Sequence, residues 1–314
     1  MDKMAPVELD VIAVGNLNMD LIGMMDRLPM ADEKALMDKM VLSLGGGGAN
    51  FAVACSRLGL KVGFIGCVGK DSFGDLVIEK FLAEKIDTSQ IKRVAAPTGL
   101  AIVLSTHKGE HILVSYRGAN LSLKPRDING EYMKNAKLVH VSSKPPKISK
   151  AVVLKAKKLG IDASIDIGAE LLKLKNKELS SAIEGYTNCF LNARGFERIF
   201  KEKPSKKTII RRFPGGIKNL VVTLGPKGAV ASDGEDFFFC RPPKVNARDT
   251  TGAGDAFAAA FNAVWLRDRD IEKSLVYAVA EAAIKVQHVG AQEGLPKMDE
   301  LEKFVKRNKI RCSS

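Results

Sequence analysis

The chain has 314 residues, a hydrophobic fraction of 46% and a formal net charge of +13, which suits one large α/β domain or two ordinary domains. Its five cysteines form no CxxC pair and no cluster with histidine. The sequence therefore predicts reduced thiols and suggests neither a disulfide framework nor a zinc site. No basic segment precedes a long apolar run, and no window has the apolar length of a membrane span. We expect a cytoplasmic protein without a membrane partner.

The positive charge favours partners that carry negative charge, and both a nucleic acid and a phosphorylated small molecule meet that condition. The lysines are spread along stretches such as residues 144–158 and 173–177, without the interleaved aromatic residues of a single-strand binding platform. Charge runs of this kind are usually the solvated faces of helices. Nucleic acid is therefore not the expected partner.

Short apolar runs that end near a glycine or a polar residue alternate with helical patterns along most of the chain. The predicted strands lie in DVIAVGN, KVGFIGCVG, KLVHVSS, IDASIDIG, TNCFLN and NLVVTLG. The predicted helices lie in ANFAVACSRLG, FGDLVIEKFLAEK, ISKAVVLKAKKLG and AELLKLKNKELSSAIEG. This order predicts an α/β fold with a doubly wound, mainly parallel sheet that is flanked by helices.

Two segments interrupt that order with apolar residues that tend to alternate, residues 17–44 and residues 98–116. In the second segment, a His-Lys-Gly sequence at residues 107–109 predicts a turn between two strands. We interpret both segments as a small β lid, which could cover a site and exclude water from it. The core then consists of residues 1–16, 45–97 and 117–314.

The segment RDTTGAGDAFAAAF, residues 248–261, places a glycine-rich turn directly before an alanine-rich helix. Unpaired N–H groups at such a helix start form an anion site, and Gly252, Ala253 and Gly254 are small enough to surround a phosphate. The alternative is a capped helix in which Asp255 only complements the helix dipole. The small neighbours favour the anion site, because a cap does not require them.

Asp255 lies near the predicted helix start, where the dipole is expected to hold its carboxylate ionised and therefore weakly basic. A weak base is poorly suited to most proton abstractions. In phosphoryl transfer, however, the transition state is loose and the base chiefly orients the attacking hydroxyl. The sequence therefore indicates a kinase in which Asp255 directs a substrate hydroxyl at a phosphate held by the adjacent N–H groups.

Two further motifs indicate a small polar ligand. Residues 45–48 are all glycine and could bring the backbone close to such a ligand, with Asn50 offering amide donors and acceptors. A flexible connector would have the same composition. In GNLNMD, Asn16, Asn18 and Asp20 are two residues apart and share one face of an extended strand. They can bind several hydroxyls, or they can form a polar strand end.

Two long motifs, GGGGANFAVACSRLG and DTTGAGDAFAAAF, resemble the two signatures of the ribokinase family of carbohydrate kinases, also called the PfkB family. The resemblance extends through VGNLNMDLI, PTGLAIVL, GAN, VVTLGPKGA and VGAQEGLP. It implies an α/β core with a β lid. It also implies the ATP- and Mg²⁺-dependent phosphorylation of a hydroxymethyl group on a sugar or a nucleoside. The low aromatic fraction of 6% favours a sugar, since no stacking pair for a nucleobase is evident.

The resemblance also implies roles for single residues. Asp255 matches the catalytic base, and the anion hole matches Gly252, Ala253 and Gly254. The positions that hold substrate hydroxyls match Asn18, Asp20, Gly46, Gly47 and Asn50. The nucleotide-binding positions match Asn192, Thr223, Gly225, Gly228 and Thr251. Asp249 belongs to a region that in some members of the family binds a monovalent cation, such as K⁺.

The sequence departs from the family pattern at the Asn-x-x-Glu element that organises Mg²⁺ and its waters. The corresponding residues run from Asn192 to Gly195, so the glutamate is absent. Glu197 lies two residues further on and could replace it through a shifted loop. An asparagine often found near the adenine corresponds to Val279. These departures leave the donor and the metal arrangement open. They also leave open a different class, a binding protein that has lost phosphoryl transfer.

Tyr116-Arg117 is similar to a Tyr-Arg pair of keto-deoxy sugar acid kinases in the family. An arginine that contacts a carboxylate or a phosphate with two hydrogen bonds would suit an anionic substrate. The alternative is a surface arginine at the lid hinge. The expected substrate is a sugar, with a nucleoside or a sugar acid as alternatives. Because exposed sheet edges can pair, we also expect a homodimer formed through the lid.

Overall fold

The structure of the protein is a computed structural model that describes residues 8–107 and 110–313. Within these residues the strands are β1 (Leu9–Val14), β2 (Asn18–Met25), β3 (Lys39–Gly45), β4 (Val62–Gly69), β5 (Asp87–Val94), β6 (Gly99–Thr106), β7 (His111–Tyr116), β8 (Ala136–Ser142), β9 (Asp162–Asp166), β10 (Asn188–Asn192), β11 (Asn219–Thr223), β12 (Ala229–Ser232), β13 (Phe237–Cys240) and β14 (Cys312–Ser313). The helices are α1 (Gly47–Arg57), α2 (Ser72–Ala83), α3 (Gly130–Met133), α4 (Pro146–Leu159), α5 (Asn176–Ile183), α6 (Ala193–Phe200), α7 (Lys206–Arg211), α8 (Ala253–Asp268), α9 (Ile271–Lys285) and α10 (Met298–Asn308).

The large sheet has the strand order β14-β13-β12-β11-β10-β9-β8-β1-β4-β5. The strands from β11 to β5 run parallel to their neighbours, and β12, β13 and β14 form an antiparallel edge. The prediction of a doubly wound, mainly parallel sheet is confirmed. The chain moves from β1 outward to β4 and β5, and then returns to β8 on the other side of β1. The strand order therefore reverses between β1 and β8, and ligands of such sheets bind beyond the strand ends at this switch point.

Helices cover both faces of the large sheet, which explains why its central strands are apolar along their whole length. Ile12 and Val14 of β1 pack toward α4, α5 and α6, whereas Val11 and Ala13 pack toward α1, α8 and α9. All four side chains are fully buried. Burial on both faces fixes β1 at the centre of the sheet, and so fixes the position of the residues that follow it.

A separate four-stranded sheet has the order β3-β2-β6-β7. Strand β2 runs parallel to β6, and the two outer pairs are antiparallel. These strands come from the two segments that the alternating pattern assigns to a lid, extended by Gly45 at the end of β3. The predicted His-Lys-Gly turn falls partly on residues 108–109, which lie outside the described residues. The division of the chain into core and lid domains stays a prediction.

One predicted helix is wrong in part. The pattern in residues 169–185 predicts a single helix, but the structure has a short 3-10 turn at Leu171–Lys173 and a separate helix α5 from Asn176. Between them the chain is extended, and the backbone N–H of Lys175 donates to Glu178 Oε2 at 3.2 Å. This capping contact starts a new helix, and the helical periodicity on both sides of it concealed the break.

All five cysteines carry free thiols, and four of them are buried. Cys240 and Cys312 are cross-strand partners in β13 and β14. Over residues 8–107 and 110–313, no helix combines the length and the apolar character that crossing a membrane requires.

Candidate active site

The candidate site lies at the switch point, where the ends of β1 and β8 meet the starts of α1 and α8. Gly46 precedes α1 with a φ of 98°, and a Cβ there would be 2.4 Å from the carbonyl oxygen of Asn16. A Cβ on Gly47 would be 2.6 Å from Ser142 Oγ and 3.0 Å from Asp255 Oδ1. Glycine is therefore required at both positions. The glycine run brings the start of α1 against two strand ends and against Asp255.

Asp255 is the third residue of α8, and two side-chain amides orient its carboxylate. Asn50 Nδ2 donates to Asp255 Oδ2 at 2.9 Å. Gln292 Nε2 in turn donates to Asn50 Oδ1 at 3.1 Å, so Asn50 turns its NH₂ group toward Asp255. Gln292 was not evident from sequence patterns, although it lies in the family-like segment VGAQEGLP. Asn50, which the resemblance assigns to substrate hydroxyls, therefore contacts the predicted base itself.

Asp255 is not held ionised by its position at the helix start. Burial raises its pKa from 3.8 to about 7, the hydrogen bond from Asn50 opposes that shift, and the charge of Asp166 adds to it. The prediction of a weak base is therefore wrong. Desolvation of the carboxylate outweighs the stabilisation that the helix dipole gives it. A carboxylate whose pKa lies near neutrality is well suited to act as a general base.

A second carboxylate, Asp166, lies at the end of β9. Its backbone is the partner of Ser142 in the parallel ladder between β8 and β9. Burial raises the pKa of Asp166 to about 6. Sequence patterns placed Asp166 inside a predicted strand and gave it no role. The signal that could have revealed it is a carboxylate at the carboxyl end of a parallel strand, beside the switch point.

Gly252 lies in the turn before α8, and the first two residues of that helix are Ala253 and Gly254. Gly252 has a φ of 76°, and a Cβ there would be 2.4 Å from a backbone carbonyl oxygen of a neighbouring loop, so glycine is required. Gly254 is exposed, and a Cβ on it would meet no atom within 4 Å. The N–H of Ala253 donates to the carbonyl oxygen of Thr250 at 3.2 Å. The N–H groups of Gly254 and Asp255 have no acceptor within their helix and can bind an anion.

The four-stranded sheet contributes Asn18 and Asp20, which lie on one face of β2. Asn120 Nδ2 donates to Asn18 Oδ1 at 2.8 Å, and Asn120 Oδ1 accepts the N–H of Leu17 at 2.8 Å. Burial raises the pKa of Asp20 to about 6, and its buried Oδ1 has no hydrogen-bond partner in the described part of the chain. Such an oxygen is costly to bury, and a substrate hydroxyl would satisfy it. Asn16 lies in the link between β1 and β2, outside the strand.

Most of the predicted nucleotide-binding residues lie at or just after the ends of β10 and β11. Asn192 ends β10 and Thr223 ends β11, and the two are neighbours in the parallel ladder. Gly225 and Gly228 follow β11 with φ values of 61° and 107°. Thr251 lies apart from these four, in the turn before α8, where its N–H and its hydroxyl both donate to a neighbouring aspartate.

That aspartate, Asp249, joins two loops. Its carboxylate accepts hydrogen bonds from the N–H of Thr251 at 2.8 Å, from its hydroxyl at 2.6 Å, and from the N–H of Gly290 at 2.8 Å. The buried ammonium of Lys285 donates to the carbonyl oxygen of His288 at 3.2 Å. Burial alone would raise the pKa of Asp249, but these hydrogen bonds and the charge of Lys285 lower it. A fixed cation therefore lies near the carboxylate that the resemblance assigns to a monovalent cation.

Two further predicted residues, Glu197 and Arg117, lie on α6 and directly after β7. Glu197 is exposed on α6, which begins directly after Asn192. The side chain of Asn192 caps this helix, and its Oδ1 accepts the N–H of Gly195 at 2.8 Å. Because Gly195 and Glu197 both belong to α6, Glu197 lies about 200° around the helix axis from Gly195. The structure therefore does not bring Glu197 to the missing glutamate position. Arg117 follows β7 and forms an ion pair with Glu170.

An oriented carboxylate can direct a substrate hydroxyl, and free N–H groups at a helix start can bind a phosphoryl group beside it. This arrangement is typical of a phosphotransferase. Residues 8–298 of the chain match the description "pfkB family carbohydrate kinase". The chain therefore belongs to the PfkB family of carbohydrate kinases, enzymes that transfer a phosphoryl group to a sugar hydroxyl. The family predicted from the two signature motifs is confirmed.

Several named proteins are similar to the chain over nearly its whole length. An ATP-dependent ribose-1-phosphate kinase of Halopiger xanaduensis is 30% identical over 296 residues, which are 94% of this chain and 97% of the relative. A 5-dehydro-2-deoxygluconokinase of Clostridium botulinum is 34% identical over 290 residues, which are 85% of each chain. The structure of an Arabidopsis thaliana ribokinase complexed with ribose and ATP has a TM-score of 0.84 at 28% identity, and the match covers 96% of this chain and 99% of that one.

Proposed function

We propose that the chain is an ATP-dependent sugar kinase in which Asp255 orients and deprotonates the acceptor hydroxyl. The observation that carries the proposal is the position of Asp255. It is the third residue of α8, its carboxylate is oriented by Asn50, and it faces the start of α1 at Gly47. A sugar bound between this point and Asp20 of the lid would present a hydroxyl to that carboxylate.

In this mechanism Asp255 accepts the hydroxyl proton while the hydroxyl oxygen attacks the γ-phosphorus of ATP. The bond from that phosphorus to the oxygen shared with the β-phosphate breaks, and ADP leaves. The N–H groups of Gly254 and Asp255 stabilise the charge on the transferring phosphoryl group. The lid would exclude water, which competes with the sugar hydroxyl as an acceptor.

Mg²⁺ fits the carboxylates of this site. Burial raises the pKa of Asp255, and the negative charge of Asp166 raises it further. A divalent cation near both carboxylates would reduce the repulsion between them. Asp166 is the residue that would hold the ion or one of its waters. When bound, Mg²⁺ neutralises charge on the nucleotide phosphates.

The relatives named above point to ribose 1-phosphate, 5-dehydro-2-deoxygluconate and ribose as candidate acceptors. Because all three are sugars or sugar derivatives, we propose an acceptor of that kind over a nucleoside. The test is a coupled ADP-release assay with ATP and Mg²⁺, offering these three compounds, fructose, adenosine, cytidine and inosine. Turnover of a sugar or sugar derivative supports the proposal, and turnover of nucleosides alone would favour a nucleoside kinase. Folded protein that binds ATP without transfer to any acceptor would favour a binding protein.

The acceptor kcat/KM is expected to fall about tenfold for each unit of pH below about 7, and to level off above it. Asp255 must be ionised to accept a proton, and its pKa is about 7. Asp20, whose pKa burial raises to about 6, steepens the fall at lower pH. Rates measured from about pH 5 to about pH 9 at constant ionic strength provide the check. A flat profile down to the acid end would contradict the assignment of Asp255 as the base.

We further propose that K⁺ is not required, because the ammonium of Lys285 supplies positive charge near Asp249. Replacing K⁺ with tetramethylammonium should leave the rate of ADP release unchanged. The variant Lys285→Met removes that charge and should be slower, with K⁺ restoring part of the loss. A wild-type enzyme that stops without K⁺ would show that the lysine does not replace the ion.

A homodimer through the lid is our proposal for the assembly. The edge strands of the lid expose large apolar side chains, among them Val41 of β3 at 42% and Leu113 of β7 at 60% exposure. Leu113→Glu should therefore shift sedimentation at micromolar protein from dimer to monomer. Leu154→Glu, at a leucine of the core helix α4 with 58% exposure, is the matched control and should remain dimeric. Monomeric wild-type protein would refute the proposal.

A further inference from the structure

Lys144 follows the end of β8 and is buried, with 2% of its surface exposed. The prediction that the lysines of residues 144–158 lie on solvated faces is wrong for this residue, although Lys147 and Lys150 are exposed. The Lys144 ammonium donates to the carbonyl oxygen of Asn120 at 3.3 Å. Burial lowers the pKa of Lys144 to about 8, and the charge of Arg117 contributes. Within the part of the chain that the structure describes, no carboxylate pairs with this ammonium.

A cavity of about 50 Å³ lies beside Lys144. One buried water requires about 10–15 Å³ of such volume, so the cavity has room for a small oxyanion group. Its polar lining consists of Asn16, Arg117, Asn120, Ser143 and Lys144. No aspartate or glutamate from the described ranges is among its lining residues.

The start of helix α4 adds positive potential to this cavity. Pro145 and Ile148 line it; Pro145 directly precedes the 14-residue helix α4, Ile148 lies in its first turn, and no side chain of the described residues caps this helix start. A helix start carries a partial positive charge that favours anions. Arg117 is half-exposed and its charge is balanced by Glu170, whereas among the described residues Lys144 has only a backbone carbonyl as partner. A buried cation of this kind is costly unless a ligand supplies the opposite charge.

We propose that this cavity binds an oxyanion group of the acceptor, a phosphate ester or a carboxylate on the sugar, with Lys144 as its counter-ion. The inference rests on the proposed sugar kinase function and narrows the substrate class to anionic sugars. Lys144 is then a specificity-determining residue, and neutral sugars are poorer acceptors because they gain no ionic contact with its ammonium.

The position of Ser143 connects this cavity to Asp255. A Cβ on Gly47 would be 3.0 Å from Asp255 Oδ1 and 3.5 Å from Ser143 Oγ, so both oxygens border the same small space. Ser143 also lines the cavity beside Lys144. Its φ of 56° is a strained conformation for serine and fixes its position between the two features. One end of a sugar can therefore reach the carboxylate of Asp255 while its anionic substituent enters the cavity.

The kinetic test compares wild type, Lys144→Met and the control Lys147→Met, which removes an exposed lysine from the same helix start. The acceptors are ribose 1-phosphate and 5-dehydro-2-deoxygluconate, with ribose and fructose as neutral sugars. Wild type should prefer an anionic acceptor at least about tenfold in kcat/KM, and Lys144→Met should lower that value by about 10- to 150-fold. In Lys144→Met the kcat/KM of neutral acceptors should not change. In Lys147→Met the kcat/KM of every acceptor should equal that of wild type. A loss of kcat/KM for ribose 1-phosphate in Lys144→Met would indicate that the cavity binds a phosphate. A loss for 5-dehydro-2-deoxygluconate would indicate that it binds a carboxylate. Equal use of anionic and neutral sugars, or equal losses on both, would overturn the proposal.

A binding measurement tests the cavity even if no phosphoryl transfer is found. Inorganic phosphate and gluconate should each be tested for raising the melting temperature of wild type, and at least one should do so. That rise should be absent in Lys144→Met and reduced in Arg117→Met, a second variant at a half-exposed side chain. Without added anion, Lys144→Met should melt at or above wild type, because it removes a buried charge. An anion response that persists in both variants, or one absent from wild type, would overturn the proposal independently of the kinase assay.

Discussion

Asp255→Asn should lower kcat by about 10²- to 10⁴-fold and leave the fold intact. The amide has the same shape, and its oxygen can still accept the hydrogen bond that Asn50 Nδ2 now donates to the carboxylate. It cannot accept the proton of the acceptor hydroxyl. The N–H groups at the start of α8 are unchanged, so the remaining rate measures their contribution alone. Single-turnover measurements with the preferred acceptor separate this chemical step from product release.

The same variant should be at least as stable as wild type above pH 7. Because the pKa of Asp255 rises from 3.8 to about 7 on folding, the folded protein holds this proton more tightly than the unfolded chain does. The resulting stability is complete below about pH 4 and is lost as the pH rises through about 7. Each unit of pKa corresponds to about 1.4 kcal/mol. For this partly exposed side chain, a gain of about 1–3 kcal/mol in the free energy of unfolding is expected at about pH 8.

The control for Asp255→Asn is Asp299→Asn, at an exposed aspartate in the first turn of α10. It makes the same chemical change at another helix start and should alter neither kcat nor the pH dependence of urea unfolding. Full kcat in a folded Asp255→Asn protein would remove Asp255 from the mechanism. A parallel loss of kcat and of stability would instead make Asp255 a structural residue.

The parallel core was predictable because its central strands are buried on both faces, so each is a continuous apolar run with a defined end. The antiparallel edge gave no comparable signal, since β12 and β13 have four residues each and β14 has two. The break before α5 was hidden for a different reason. A capping contact between Lys175 and Glu178 decided it, and that contact competes with a helical pattern that continues on both sides.

The site was predictable where its chemistry lies in one local segment. Asp255 and Gly252 belong to a single turn into a helix, and a phosphate-binding turn has a recognisable composition. Asp166, Gln292 and Lys144 acquire their positions only through the strand order and the packing of distant segments. Lys144 also lies in a lysine-rich stretch, so its burial could not be separated from the exposure of its neighbours. The pKa of Asp255 was misjudged for the same reason, because desolvation depends on the complete fold.

Gly254→Ala is expected to slow phosphoryl transfer without destabilising the fold. In the protein alone, a Cβ at residue 254 would meet no atom within 4 Å. Alanine is also more favourable than glycine inside a helix by about 0.5–1 kcal/mol, so the variant should melt slightly higher than wild type. A phosphoryl group bound to the N–H groups at the start of α8 would, however, meet the new methyl group.

A displacement of about 1 Å from the reactive geometry can lower a rate about 10²-fold, and we expect a loss of that order in kcat for Gly254→Ala. The control is Gly130→Ala at the start of α3, where the nearest atom to a Cβ is 4.0 Å away. It should leave kcat unchanged. Thermal unfolding and steady-state kinetics on both variants provide the comparison. A slower but more stable Gly254→Ala would place the transferring phosphoryl group at the start of α8, whereas full kcat would exclude so close an approach.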